Sequence, residues 1–589
     1  MRKRTLALGL FIVFVNLSVF SFFSFSSASS YGNYDAAVVI DEDGKVVGTS
    51  LIQVSGNQYT FTGSISLSNQ YFPAGIQVLK DNIVIDGANY ALETNNEAWT
   101  GIDLTGRSNV TVKNVEISGF QQGILLEGSS GNRLYNNKII GFSSDGDGPY
   151  GVPTGIWLSC SSNNTIASNT VSSNIDFGIL VQASSTGNVL TGNTVTNNSV
   201  GIALDYCPDN TLRNNQMINN DKSLKLGYNT YEQFIQDIDA SNTINGKPTY
   251  YWLNQNDRAI PADAGFVALG NCDNITIKDL YINHTYDSIT LINTNNSAIT
   301  NNHISYCGNG IFLKYCQNIT VTWNTIIGNS DSGIGTIACD NIAIAENNID
   351  HCNFGISPSG VTRNHLGGRG STNLMIFSNN ITNCNPGMYF SLSSNCIISQ
   401  NLFRENAYGV NLVQSTKNNF TENTFIENSG GALRISDAYN NTFFHNNFND
   451  NELDSQVLTQ WYLVSTYETN AWDNGHEGNY WSNFEDRYPN ATEISQRNTW
   501  NTPYYIDDVN IDNHPLVNPH KIGTDKPETE PETDKPDDSV VLPSISPSPS
   551  PSPEQTVSEP LPTEVLTVSV ASVAIASIGL IVYFKKRKH

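Results

Sequence analysis

Two stretches carry side chains that could attack or stabilise a scissile bond. Arg363, His365 and Arg369 fall together in SPSGVTRNHLGGRGS, residues 357–371, and Asp145 and Asp147 fall in SSDGDGPYGVP, residues 143–153. A polysaccharide lyase would need such a base beside acidic residues, but no acidic residue shares the loop of Arg363. A glycoside hydrolase would need two carboxylates facing one bond. Asp205, Asp279, Glu346 and Glu422 do not recur at neighbouring positions in a way that would pair them. Asp508, Asn510 and Asp512 alternate oxygen-bearing side chains, the hard donors that calcium prefers, and make calcium the candidate metal although no cofactor is required by the pattern. Copper would need His, Met or Cys to converge. The nine His and four Met are scattered, and His303, His351 and His445 read as turn residues. The nine Cys form no C-x-x-C motif.

These residues are strung on a repeat. Gly310 recurs as Gly333 and Gly355, and the lines GIFLKYCQNITVTWNTIIGN and GIGTIACDNIAIAENNID match column by column. A unit of this length cannot bury its own apolar face, so it must stack on its neighbours. Apolar residues alternate within each unit, as in Ile319-Thr320-Val321, which marks strands rather than helices. The expected architecture is an all-β, right-handed parallel β-helix of about fifteen coils. The frame extends upstream through Gly75, Gly101, Gly123, Gly155, Gly178, Gly201, Ser223, Gly265 and Ser288, and downstream through Gly387, Gly409 and Gly431.

Asparagine sets the bends. One column holds Asn169, Asn215, Asn302, Asn324, Asn347, Asn401 and Asn423; another holds Asn174, Asn220, Asn329, Asn406 and Asn428, with Cys307, Cys352 and Cys384 in the same place. Asn tolerates left-handed backbone, and amides stacked in register bond along the column. Cys316 and Cys339 also share a column, close enough for a disulfide, although inward thiols are the favoured reading. In the strand after each Gly, the second residue should point out. It is aromatic at Trp157, Phe312 and Tyr389, which makes these three the candidate sugar-stacking residues.

The ends of the chain suggest an exported, anchored protein. Residues 1–28 have the charged start, apolar stretch and small-residue end of a signal peptide. Residues 29–74 are expected to cap the first coil, 75–454 to form the β-helix with insertions at 143–153, 227–264 and 357–371, and 455–520 to form an aromatic C-terminal cap. Residues 521–563 are a Pro-rich linker, 564–584 an apolar run long enough for a transmembrane helix, and 585–589 a basic cytoplasmic tail. Net charge is −25, from 55 acidic and 30 basic residues, which excludes a nucleic-acid partner reading.

The coil pattern, the GKPTYYW insertion at Gly246–Trp252 and the WDNG, GNYWS and TPYYID ending resemble the NosD-like family. This is the carbohydrate-binding and sugar-hydrolase type of β-helix in the pectin-lyase-like superfamily, and the two non-coil motifs resemble its surface-anchored archaeal members. The resemblance implies the fold directly and leaves the activity open. The favoured function is a non-catalytic carbohydrate-binding or adhesive surface module, its partner a polysaccharide or cell-envelope glycan and its membrane contact the C-terminal helix. A polysaccharide lyase or glycoside hydrolase, and a structural envelope stalk, are the alternatives.

Overall fold

A computed structural model describes residues 36–67, 73–141, 152–360, 370–451, 457–460 and 469–522. Residues 1–28, the linker, the apolar run 564–584 and the basic tail lie outside the described residues, as do Asp145, Asp147, Arg363, His365 and Arg369. Among the described residues no helix is long and apolar enough to cross a membrane.

The described chain is a right-handed parallel β-solenoid of about 16 turns. A representative coil lays down three strands, Asn309–Lys314, Gln317–Thr322 and Thr325–Ile327. Each pairs in parallel with its counterpart one coil on: Ile311 with Ile334, Ile319 with Ile342, Ile326 with Ile349. Alternation turns Ile311, Leu313, Ile319, Val321 and Ile326 inward, where each is fully buried. Burying one such side chain contributes about 1.5–3 kcal/mol, and because like stacks on like, every coil repeats the gain.

Gly310, Gly333 and Gly355 stack in one column. A Cβ at Gly310 would lie 2.5 Å from the Gly333 carbonyl oxygen, and one at Gly333 would lie 2.6 Å from that of Gly355. Two seats shift by one residue from the sequence reading. Phe266 rather than Gly265 aligns with Ser288, and Ala432 rather than Gly431 follows Gly409.

Within each stack the first Asn column is a hydrogen-bonded ladder, whereas the second is interrupted where Cys307, Cys352 and Cys384 replace Asn. Asn324 donates through Nδ2 to Asn347 Oδ1 at 2.9 Å, and Asn347 donates in turn to Asn379 Oδ1 at 2.9 Å. Asn324 also donates to the Ile299 carbonyl of the preceding coil. The residue before a ladder Asn inside the stack takes left-handed backbone, with φ of 52° at Asn301, 55° at Trp323 and 53° at Glu346. This bend turns the chain while the next side chain plugs the corner. All nine cysteines are free, and Cys316 and Cys339 are buried as the inward reading required.

The expectation of one unbroken stack over 75–454 is corrected by the pairing. The ladder from Asn137 through Asn169, Asn193 and Asn215 ends at Asn242. A second starts at Asn302 and runs on to Asn479. The core divides in the same place, into one cluster from Val38 to Ile292 and another from Ile260 to Ile506. The insertion at 227–264 makes the joint. Its strand Thr243–Ile244 closes the first stack against Gln216–Ile218, then turns antiparallel into Lys247–Leu253, which begins the second. Phe266, Ala268 and Ile292 point away from the second core and pack into the end of the first. Phe234, fully buried, fills that end, with the Tyr251 ring at 5.4 Å. The insertion therefore does not leave the stack as a free loop: it caps one stack on the flank of the next.

At the C-terminal end the aromatics do cover the last coils. Phe425, Phe448, Trp481 and Tyr504 stack as a column with centroid spacings of 5.1, 4.3 and 4.1 Å. Phe443 and Trp472 stack beside it at 4.5 Å.

Candidate functional site

Solvent-facing aromatics gather on successive coils just past the joint. Tyr281, Tyr306 and Trp323 are 63%, 58% and 46% exposed. Tyr281 and His303 occupy the same outward position of neighbouring third strands, Tyr281–Asn283 and His303–Ser305, and their rings stack at 4.5 Å. His284 and Tyr306 repeat the arrangement at the following bend, with rings at 5.9 Å and an interplanar angle of 20°. Tyr306 lies over Gly328 of the next coil, where a Cβ would come within 3.0 Å of its ring. Trp323 stands at the bend on the other side of the strand and donates its indole N–H to Glu346. Coils repeat at ~4.8 Å, so these rings line a platform running along the stack.

The joint braces this platform. Lys222, at the end of the first stack, donates from Nζ to the Tyr306 carbonyl at 3.3 Å, and Lys247 donates to that of Tyr281 at 2.7 Å. The joint also covers a buried polar cluster on the first strands. Asp287 accepts from Asn309 Nδ2 at 2.8 Å and bonds the Tyr228 side chain; burial nonetheless pushes its carboxyl up to about 6. Lys314 is 6% exposed and donates to the Tyr228 and Asn229 carbonyls at 2.7 and 3.0 Å, while burial draws its ammonium down. Lys225 and Asp205 pair at 3.1 Å, with the Lys225 ammonium over the Tyr286 ring. Asp331, which also hydrogen-bonds with Asn309, pushes the Asp287 carboxyl up further, and the cluster holds these segments together.

The aromatics singled out by alternation lie elsewhere. Phe312 is 7% exposed because Tyr228 covers it, ring to ring at 4.8 Å, so the expectation that it faces a ligand is corrected. Trp157 is half-buried against Leu180 and Ala203, and Tyr389 is half-buried beside Phe354 at 5.4 Å. Their alternation was read correctly, but this outward face is where the joint and neighbouring side chains pack. The exposed aromatics sit instead on the third strand and at bend positions usually given to Asn. Tyr306 and Trp323 in place of Asn were the visible signal.

The calcium set does not converge either. Asp508 is exposed, whereas Asn510 and Asp512 are fully buried. Asp512 Oδ2 accepts from Asn479 N at 2.8 Å and from Trp481 Nε1 at 2.9 Å, and Oδ1 accepts from His514 N at 3.1 Å. Asn510 Oδ1 accepts from Trp472 Nε1 at 3.1 Å. These oxygens face N–H donors, where a cation would meet the positive ends of the dipoles; they terminate two Asn ladders. Gly478 must stay Gly, since a Cβ there would overlap the Asp512 carboxylate.

Burial pushes the Asp512 carboxyl up to about 7, against the donated bonds that hold it down. Asp512 and Asp287 thus hold their protons more tightly folded than unfolded, where Asp titrates near 3.9. Their contribution is full below about pH 4 and is lost as pH rises through about 6 to 7. His520, drawn down by burial and His445, works in the opposite sense below its ordinary value. Thermal melts at pH 5 and pH 7.5 should show higher stability at pH 5, with a flatter profile in Asp512→Asn. An identical profile in that variant would remove Asp512 as the cause.

One further group of chemistry-bearing residues assembles in the last coils. Glu422, His445 and His520 place one ligand-type atom each within 4.8 Å of one another, all half-buried. The reading of His445 as an ordinary turn residue missed this, because His520 arrives from the far end of the cap.

Comparison with known proteins agrees with the described fold. Residues 50–217 and 260–366 match a right-handed β-helix region, and the break between them falls on the joint. Residues 368–486 match the family described as periplasmic copper-binding protein (NosD). No curated protein matches the chain. Among solved structures, the Dettilon tailspike protein is 14% identical over 69% of this chain and 60% of its own, with a TM-score of 0.20. The mannuronan C-5 epimerase AlgE4 A-module of Azotobacter vinelandii is 11% identical over 70% and 88%, with a TM-score of 0.22. DFA-IIIase of Arthrobacter chlorophenolicus is 12% identical over 68% and 87%, with a TM-score of 0.28.

Proposed function

We propose, from the matches to a right-handed β-helix region and, over residues 368–486, to the NosD family, that this chain is a non-catalytic glycan-binding protein of the cell surface. The observation that carries the reading is the exposed platform of Tyr281, His303, His284, Tyr306 and Trp323 on consecutive coils. Aromatic faces offer apolar area with little rotamer freedom to lose, which suits the faces of sugar rings. A platform along the stack suits a polymer more than a single sugar, and Glu346 beside Trp323 supplies an acceptor for hydroxyl groups. The signal-like start, the Pro-rich linker and the apolar run before Lys585–Arg587 support display outside a membrane anchor.

Cells displaying the full chain should bind labelled polysaccharide, and external protease should abolish the signal. Tyr306→Asn and Trp323→Asn keep a residue suited to left-handed backbone, so the fold is retained. Together they should weaken binding about tenfold or more, equivalent to about 1.4 kcal/mol. Unchanged binding in the double variant would sink the assignment of this platform. Release of reducing ends or unsaturated product would place the chain among enzymes instead.

A further inference from the structure

We propose that Glu422, His445 and His520 form a binding site for one divalent transition-metal ion of the zinc or copper(II) kind. Glu422 and His445 hold the same position in successive coils, between the paired strands Asn419–Thr421 with Thr442–Phe444 and Thr424–Ile426 with Asn447–Asn449. Both take left-handed backbone, with φ of 57° and 59°, so their side chains leave the corner side by side. The next coil places Gly478 there, before ladder residue Asn479, and presents no side chain.

His520 is brought in from outside the solenoid by a specific clasp. Its backbone N–H donates to Asn447 Oδ1 at 2.7 Å, and its carbonyl accepts from Asn447 Nδ2 at 2.9 Å. This reciprocal pair, across 73 residues of sequence, sets the His520 ring parallel to that of His445 at a centroid distance of 4.1 Å.

The surrounding groups orient the ligands. Glu477 Oε2 lies 2.8 Å from His445 Nε2, the carboxylate partner that a metal-bound imidazole ordinarily has on its other nitrogen. Gln400 Nε2 donates to Glu422 Oε2 at 2.7 Å, leaving the second carboxylate oxygen for an ion. Metal bonds to N and O are about 2.0–2.2 Å. Closing to that geometry from ligand atoms within 4.8 Å takes side-chain rotation of half-buried residues, not a change in the coils. Two imidazoles and a carboxylate suit zinc or copper(II) rather than calcium, and no thiol or thioether belongs to the group, so copper(I) is disfavoured. The site lies across the NosD-matching region, whose family name implies copper, but its third ligand lies beyond the matched residues.

The test uses the full chain in detergent, with the exposed thiol removed as Cys160→Ser. Zinc is titrated calorimetrically and copper(II) is followed by electron paramagnetic resonance. One equivalent should bind, with nitrogen couplings from two imidazoles. His520→Ala, outside the stack, and His445→Asn should each weaken binding at least tenfold and leave coupling to a single imidazole. Absence of stoichiometric uptake, or an unchanged stoichiometry and spectrum in the double variant, overturns the proposal. Circular dichroism of each variant separates ligand loss from unfolding.

Discussion

Trp481→Ala is expected to destabilise the second stack by about 3–5 kcal/mol, the cost of emptying a large aromatic site in a core. Trp481 is 1% exposed and lies between Phe448 at 4.3 Å and Tyr504 at 4.1 Å, with interplanar angles of 15° and 5°. Its removal interrupts the aromatic column and leaves the Phe448 face without its cover. The indole N–H is also one of the donors to buried Asp512, so the carboxylate loses a partner where water cannot replace it. Trp481→Phe keeps a ring in the column while losing that donor and part of the volume, and should cost less than Trp481→Ala, about 1–3 kcal/mol. Denaturant melts of the two variants separate the packing and polar contributions. A Trp481→Ala protein as stable as the parent would mean that these aromatics do not seal the stack.

Asn324→Leu should cost about 3 kcal/mol or more, because several buried polar groups lose partners at once. Leucine has the branching of asparagine but is bulkier, so overpacking adds to the loss of polar pairing. Oδ1 of Asn324 accepts from both the backbone and side-chain nitrogens of Asn302, at 3.0 and 2.9 Å. Its Nδ2 donates to Ile299 O, Thr322 O and Asn347 Oδ1 at 3.0, 3.1 and 2.9 Å. The exposed neighbour Asn301 is the control. Asn301→Gly retains the left-handed bend and should stay within about 0.5 kcal/mol of the parent. Equal melting shifts in the two variants would show that the ladder carries no special weight.

The coil was legible because its constraints are local. A Gly that lets backbones approach, an alternating strand and an Asn that plugs a bend are each fixed by the geometry of a single turn. What a coil stacks upon is not fixed locally. Ser223 and Ser288 both fit the repeat, yet between them the chain changes stacks. The insertion at 227–264 reads as a loop because its aromatics have no period. Phe234 and Tyr251 prove to be core residues of an end that exists only when the second stack covers it. The same event hides Phe312, whose outward direction was inferred correctly from alternation. Asn510 and Asp512 resembled calcium ligands because oxygen spacing carries no information about who donates to those oxygens. Glu422, His445 and His520 could not be grouped from spacing, since the Asn447 clasp that joins them is a tertiary contact.

The left-handed bend positions have a consequence for how such a protein can change. At most of them the inward work belongs to the following Asn, or to a Cys as after Tyr306, and the bend residue only has to tolerate its backbone. Asn, Ser, Gln, Glu, His, Tyr and Trp all occur there in this chain. A non-Gly residue in this conformation carries a cost of about 1–2 kcal/mol relative to its preferred backbone, somewhat less for Asn. Beyond that toll the core is indifferent to what projects. The solenoid is in effect a pegboard, with holes at a fixed pitch and pegs that can be exchanged singly. Tyr306 and Trp323 are pegs at one part of the board, Glu422 and His445 at another. New surface chemistry can be tried at any hole without repacking the wall behind it.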